Sequence, residues 1–104
     1  MDGQVMRALD EINALARALH GDNTEANKYT FKSLAEHVDE VKGLLAQNDE
    51  HWKAEAVDII IHALTLLRRG DVGRQEYERL MGQRLGRFKE KITAAGVINV
   101  NNRE

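Results

Sequence analysis

The ten residues Glu55-Ala56-Val57-Asp58-Ile59-Ile60-Ile61-His62-Ala63-Leu64 set the tightest constraint on how this chain can fold. Apolar side chains occupy nearly every side of the stretch, as in the middle of a buried helix. Glu55, Asp58 and His62 nevertheless stand three and four positions apart, so at roughly 100° per residue they form one stripe. Two carboxylates and an imidazole inside an apolar helix are costly to bury alone. Basic side chains, water or a metal ion must satisfy them.

The rest of the chain repeats the helical period. Val5, Met6, Leu9, Ile12, Leu15, Ala16 and Leu19 predict an amphipathic helix over 3–19, stopped at Gly21. Asn23 or Thr24 is placed to cap a second helix over about 25–46, with Phe31, Leu34, Val38, Val41 and Leu45 as its core stripe. The Gln47-Asn48-Asp49 turn is short, so the third helix, about 49–69, should run antiparallel to the second. Asp49 and Glu50 in its first turn and Arg68 and Arg69 in its last suit the helix dipole, and Gly70 ends it. Tyr77, Leu80, Met81, Leu85, Phe88 and Ile92 predict a fourth helix over about 74–94, closed by Gly96. The alternating Val97-Ile98-Asn99-Val100-Asn101-Asn102 reads as a short strand or a partner-contacting arm. No proline interrupts any of these segments. The expected architecture is all-α: a four-helix bundle with a central antiparallel hairpin, one domain over 1–96 and a C-terminal tail over 97–104.

Composition excludes several function classes. A net charge of −2 gives no electrostatic case for nucleic acid or a membrane surface as partner. Without cysteine there is neither a disulfide framework nor a thiolate metal site. No secretory segment opens the sequence and no apolar run approaches the roughly 18 residues of a bilayer span, so a cytoplasmic setting is the expectation.

Closing the hairpin turns Glu36, His37 and Glu40 of the second helix toward Glu55 and Asp58 of the third. Clustered carboxylates repel one another and persist in a core only with a cation between them. An oxygen-rich set of this kind suits Mg2+ or Mn2+, which can hold a polyphosphate and lie beside a carboxylate that orients an attacking water. Plainer readings accompany each residue. Glu36 and Glu40 stand four apart, as on an ordinary helix surface; Glu55 and Asp58 can pair with arginines. His62 reads as a hydrogen-bond partner of Asp58 or a packing residue, and Trp52 as core or interface.

The run Leu34-Ala35-Glu36-His37-Val38-Asp39-Glu40-Val41, followed by Glu55-Ala56-Val57-Asp58-Ile59-Ile60-Ile61, resembles the MazG-like all-alpha nucleoside triphosphate pyrophosphohydrolases, whose signature is E-E-x-x-E, a linker, then E-x-x-D on antiparallel helices. The resemblance spans about residues 30–90. It implies His37, Glu40, Glu55 and Asp58 as metal ligands and Glu36 as the residue that orients the water. It also implies a basic segment around Gln83–Phe88 that meets phosphates; Lys32, Arg84 and Arg87 are the candidates. The activity implied is cleavage of a nucleoside triphosphate to the monophosphate and pyrophosphate, in a homodimer or homotetramer. One position departs from the pattern: His37 stands where the second acid belongs. An imidazole removes a negative charge and softens the site, which weakens the case for magnesium relative to manganese. Two alternatives follow, a MazG-like protein that binds nucleotide or metal without turnover and a structural helical interaction module.

Overall fold

The computed structural model describes the backbone of residues 2–103 and the side chains of residues 2–96. Those residues form four helices and no strand: α1 (Gly3–His20), α2 (Asn23–Ala46), α3 (Trp52–Arg69) and α4 (Arg74–Arg103). None of the helices is long and apolar enough to cross a membrane. The chain groups into two compact units, Asp2–Val72 and Gly73–Glu104.

Local chemistry sets the helix ends of the first unit. Asp2 caps α1, its Oδ1 accepting from Val5 N–H at 2.8 Å, and Gly21, at φ 98°, ends it. The cap of α2 is Asp22, whose Oδ1 accepts from Glu25 N–H at 2.9 Å, rather than Asn23 or Thr24. A carboxylate caps as well as a carboxamide and carries the charge that the helix N-terminus favours. After α2 and again after α3 the chain closes with a six-to-one hydrogen bond, Asp49 N–H to Leu44 O at 2.9 Å and Val72 N–H to Leu67 O at 3.1 Å. The left-handed residues of these two turns are Asn48 (φ 57°) and Asp71 (φ 59°), residue types whose short polar side chains tolerate that conformation. Asp49 and Glu50 lie in the turn before α3, which begins three residues later than the periodicity predicts because Asn48 and Asp49 are used to close α2.

The three helices of this unit pack on one another. Thr30 meets Arg69, and His37 meets Glu55, so α2 and α3 run antiparallel. The seam between them is unexpectedly polar. Asn13, Thr30, Ser33 and Thr65 are buried, whereas only Leu9 and Ala26 are buried among the apolar residues. The buried face of α1 is Leu9 and Asn13 with Met6, Ala16 and His20 half-buried; Ile12 and Leu19 lie roughly a quarter turn away, Leu15 farther round, and all three are exposed. On α2, Leu34 and Val41 are half-buried as the stripe requires, but Phe31, Val38 and Leu45 are exposed. On α3 the polar residues Glu55, Asp58, His62, Thr65 and Arg69 are buried or half-buried together with Ile59, Leu64, Leu66 and Leu67, while Val57, Ile60 and Ile61 are exposed. Helical periodicity locates apolar faces; here part of each face lies outward, and polar residues share the inner seam.

The second unit is α4. Arg74 pairs with Glu78 at 3.1 Å along its surface. Tyr77 and Leu80 are half-buried, and Met81, Leu85, Phe88 and Ile92 are exposed. The helix does not stop at Gly96 but continues to Arg103, in place of the expected strand or arm. Alternation over six residues makes a strand only where another strand pairs with it, and the described residues contain none; helix growth costs one residue fixed per hydrogen bond gained.

Candidate metal centre

The polar seam ends, toward the α2–α3 turn, in a group of ionisable side chains. His37 comes from the inner face of α2, in line with Thr30 and Ser33; Glu55 and Asp58 come from the inner face of α3, one turn apart. His37 Nδ1–H donates to Glu55 Oε2 at 2.6 Å, with the two side chains only 21% and 14% exposed. His37 Nδ1 is also 3.5 Å from Glu40 Oε2, and His51 Nε2 is 3.3 Å from Glu55 Oε1. One ligand atom from each of His37, Glu55 and Asp58 lies within 4.8 Å of the others. The His62 ring, one turn beyond Asp58, stacks at a tilt against His37 with centroids 5.2 Å apart.

The titration behaviour follows from this geometry. The hydrogen bond to Glu55 raises the His37 pKa above its ordinary value, and the charges of Glu55, Glu40 and Asp58 add to the shift. Glu40 and Glu55 act as a pair. The neighbouring Glu55 raises the Glu40 pKa, and Glu40 and His37 lower that of Glu55. Burial lowers the His62 pKa, and the nearby His37 charge acts in the same direction.

The donor set fits a divalent cation: imidazole nitrogen and carboxylate oxygens, on two helices, half-buried. Two ligands at roughly 2.1 Å from one magnesium ion stand no more than about 4.2 Å apart, and two at roughly 2.5 Å about 5 Å. A spread within 4.8 Å is inside the span of a larger ion and slightly beyond that of a smaller one, once the His37 proton is displaced. Of the residues expected from sequence, His37, Glu55 and Asp58 converge, and Glu40 stands beside them, half-exposed. Glu36 is exposed on α2, about 100° around the helix from His37. Lys32 is likewise exposed on α2, and Arg84 and Arg87 are exposed on α4, three apart on one face of that helix.

At the other end of the seam is a network that periodicity does not reveal. Arg69 donates from Nε to Asn13 Oδ1 at 2.9 Å and from Nη1 to Asn27 Oδ1 at 3.1 Å and Thr30 Oγ1 at 2.7 Å. Asn13 Nδ2 in turn donates to the Thr65 carbonyl at 3.1 Å, so one side chain ties all three helices together. Beside it, Arg68 and Asp10 form a two-pronged pair, Nε to Oδ1 at 2.9 Å and Nη2 to Oδ2 at 3.0 Å. The available sequence signal was Asn13 itself, a carboxamide four residues after Leu9 on an otherwise apolar helix face.

Compared with known proteins, the chain matches no family model, no curated protein and no solved structure.

Proposed function

We propose that this chain is a metal-dependent nucleoside triphosphate pyrophosphohydrolase of the MazG-like kind, releasing a nucleoside monophosphate and pyrophosphate. The observation that carries the reading is the convergence of His37, Glu55 and Asp58 from two antiparallel helices, in the order of the acid motifs seen in the sequence. Glu55, Asp58, Glu40 and His37 would hold Mg2+ or Mn2+. The cation would supply charge neutralisation for a triphosphate. Glu36, one residue from His37 and open to solvent, is free to accept a proton from a water approaching that phosphate chain. Lys32, Arg84 and Arg87 are the candidate phosphate contacts, within a four-helix MazG-like assembly. The exposed apolar residues of α2 and α3 support a homodimer or homotetramer, in which outer faces of one chain are covered by another. A cytoplasmic role in removing surplus or non-standard nucleotides accords with this reading.

One observation favours a second reading. His37 is hydrogen-bonded to Glu55 at 2.6 Å, so an imidazole neutralises a carboxylate that the cation needs. A site with that substitution can retain nucleotide or metal binding without turnover. Pyrophosphate release from canonical and modified nucleoside triphosphates separates the two, measured with magnesium, with manganese and with neither, beside Glu55→Gln. Metal-dependent release lost in Glu55→Gln supports the enzyme. Tight nucleotide binding without release supports the second reading. Neither turnover nor any effect of metal on stability sinks both and leaves a structural helical module.

A further inference from the structure

We propose that the polar pocket at the C-terminal end of α3, between Arg17, Asn23 and Arg69, binds a phosphate-class oxyanion. The pocket has a volume of about 320 Å³, the low end of the roughly 300–1,000 Å³ typical of small-molecule sites. It is lined entirely from the Asp2–Val72 unit and includes three arginines, Arg17, Arg68 and Arg69.

Arg68 is served by Asp10, which grips it with both carboxylate oxygens, and Asp71 lies near enough to act on the same guanidinium. Asp10 thus pairs with Arg68, although the Arg17 charge also reaches it. Arg69 is different. Its hydrogen bonds run to neutral oxygens, those of Asn13, Asn27 and Thr30, and no carboxylate among the described residues pairs with it. Burial lowers its pKa. Neutral acceptors satisfy its Nε and Nη1 donors but leave the charge unbalanced, and a partly buried charge in that state is costly. Arg17 is exposed at the same pocket and has no ion pair among the described residues. An anion seated between Arg17 and Arg69 removes the imbalance.

Asn23 supplies the second observation. It lines the same pocket, and its Oδ1 is buried without a hydrogen-bond partner. That arrangement costs free energy and leaves Asn23 the one neutral amide of the pocket wall with an unsatisfied polar atom. Two guanidiniums and an amide are the donor set that suits a tetrahedral oxyanion with several acceptor atoms. Along α3, Arg69 lies fourteen residues beyond Glu55, or about 21 Å at the helical rise, so this pocket is separate from the candidate metal centre.

The test uses the full chain in chelator, with inorganic phosphate as probe and sodium chloride at matched ionic strength as control. Thermal unfolding should shift upward with the logarithm of phosphate concentration, as linkage requires, and the phosphorus resonance should broaden saturably. Arg17→Gln, which removes an exposed side chain, should weaken phosphate about tenfold while leaving the melting temperature without phosphate within about 2 °C. Arg69→Gln should abolish binding; if that chain fails to fold, Arg17→Gln decides. Asp58→Asn should bind phosphate like the parent, which keeps this site distinct from the metal centre. A phosphate response no larger than that of chloride, or equal affinity in Arg17→Gln, overturns the proposal.

Discussion

His37 and Glu55 face each other across α2 and α3 with Nδ1 and Oε2 2.6 Å apart, so a proton occupies the point at which the ligand atoms of the candidate metal centre converge. That placement makes the site a competition between proton and cation.

The two ring-stacked histidines should titrate on opposite sides of the ordinary value of 6.5, His37 above it and His62 below. The hydrogen bond to Glu55 favours the charged form of His37; burial disfavours that of His62. The signs carry into stability. The His37 contribution is fully present below 6.5 and is lost as pH rises through its raised folded value. The His62 contribution is present above 6.5 and is lost as pH falls through its lowered one. Wild-type stability should therefore rise toward pH 6.5 and fall above it as far as these two groups act, whereas His37→Gln, keeping only the second, should rise toward pH 6.5 and then level off. Ring-proton NMR on the metal-free chain checks the order, and His62 titrating above His37 refutes it.

A divalent cation must displace the His37 proton, so manganese should stabilise the chain more at pH 8 than at pH 6. At a hundred times its dissociation constant the gain is about 2.7 kcal/mol. Asp58→Asn should remove most of it, because a carboxamide offers a neutral oxygen where the cation needs a charged one. His37→Glu should shift the preference toward magnesium by restoring a hard oxygen ligand. Thermal melts with graded manganese and magnesium measure all three. Equal stabilisation of wild type and Asp58→Asn is the result that removes Asp58 from the site.

What the sequence made legible follows from which signals are local. The four helices are visible in their 3–4 spacing, and Gly21 marks the end of α1 through its positive φ. His37, Glu55 and Asp58 were legible because helix period and a short hairpin together fix which side chains meet. The destination of the apolar stripes was not. Phe31 and Val38 share the period of a core stripe and yet are 56% and 40% exposed, because period tells which residues share a face and not what that face packs against. The Arg69 network was hidden for a related reason. Asn13, Asn27, Thr30 and Arg69 are scattered over three helices, and nothing in their spacing announces one shared set of hydrogen bonds.

Asn13→Ala should destabilise the chain by about 1–3 kcal/mol, since it strips the Arg69 Nε donor and the Thr65 carbonyl of their partner inside the seam. Asn27→Ala should cost less, because Arg69 Nη1 keeps Thr30 Oγ1 at 2.7 Å. Denaturant unfolding of the two variants beside wild type gives the ranking. Equal losses mean that Arg69 does not distinguish its partners and that the seam is held mainly by packing.

The polar seam leaves the apolar residues of α3 in need of cover. Val57 is 52% exposed and Ile60 56%, one turn apart on the outer side of the helix, and Phe31 and Leu45 add exposed apolar area on α2. Each fully covered aliphatic side chain contributes roughly 1.5–3 kcal/mol, so a few such residues from each of two chains suffice to favour association over lost freedom. The chain should therefore sediment as an oligomer at micromolar concentration. Ile60→Glu should shift it toward monomer, because a carboxylate buried there would have no partner. The same substitution should leave α-helical content unchanged, since Ile60 contributes to an outer face rather than to the seam. A wild-type chain that sediments as a monomer across that range would show that these faces meet water, or a partner of another kind, instead of a second copy.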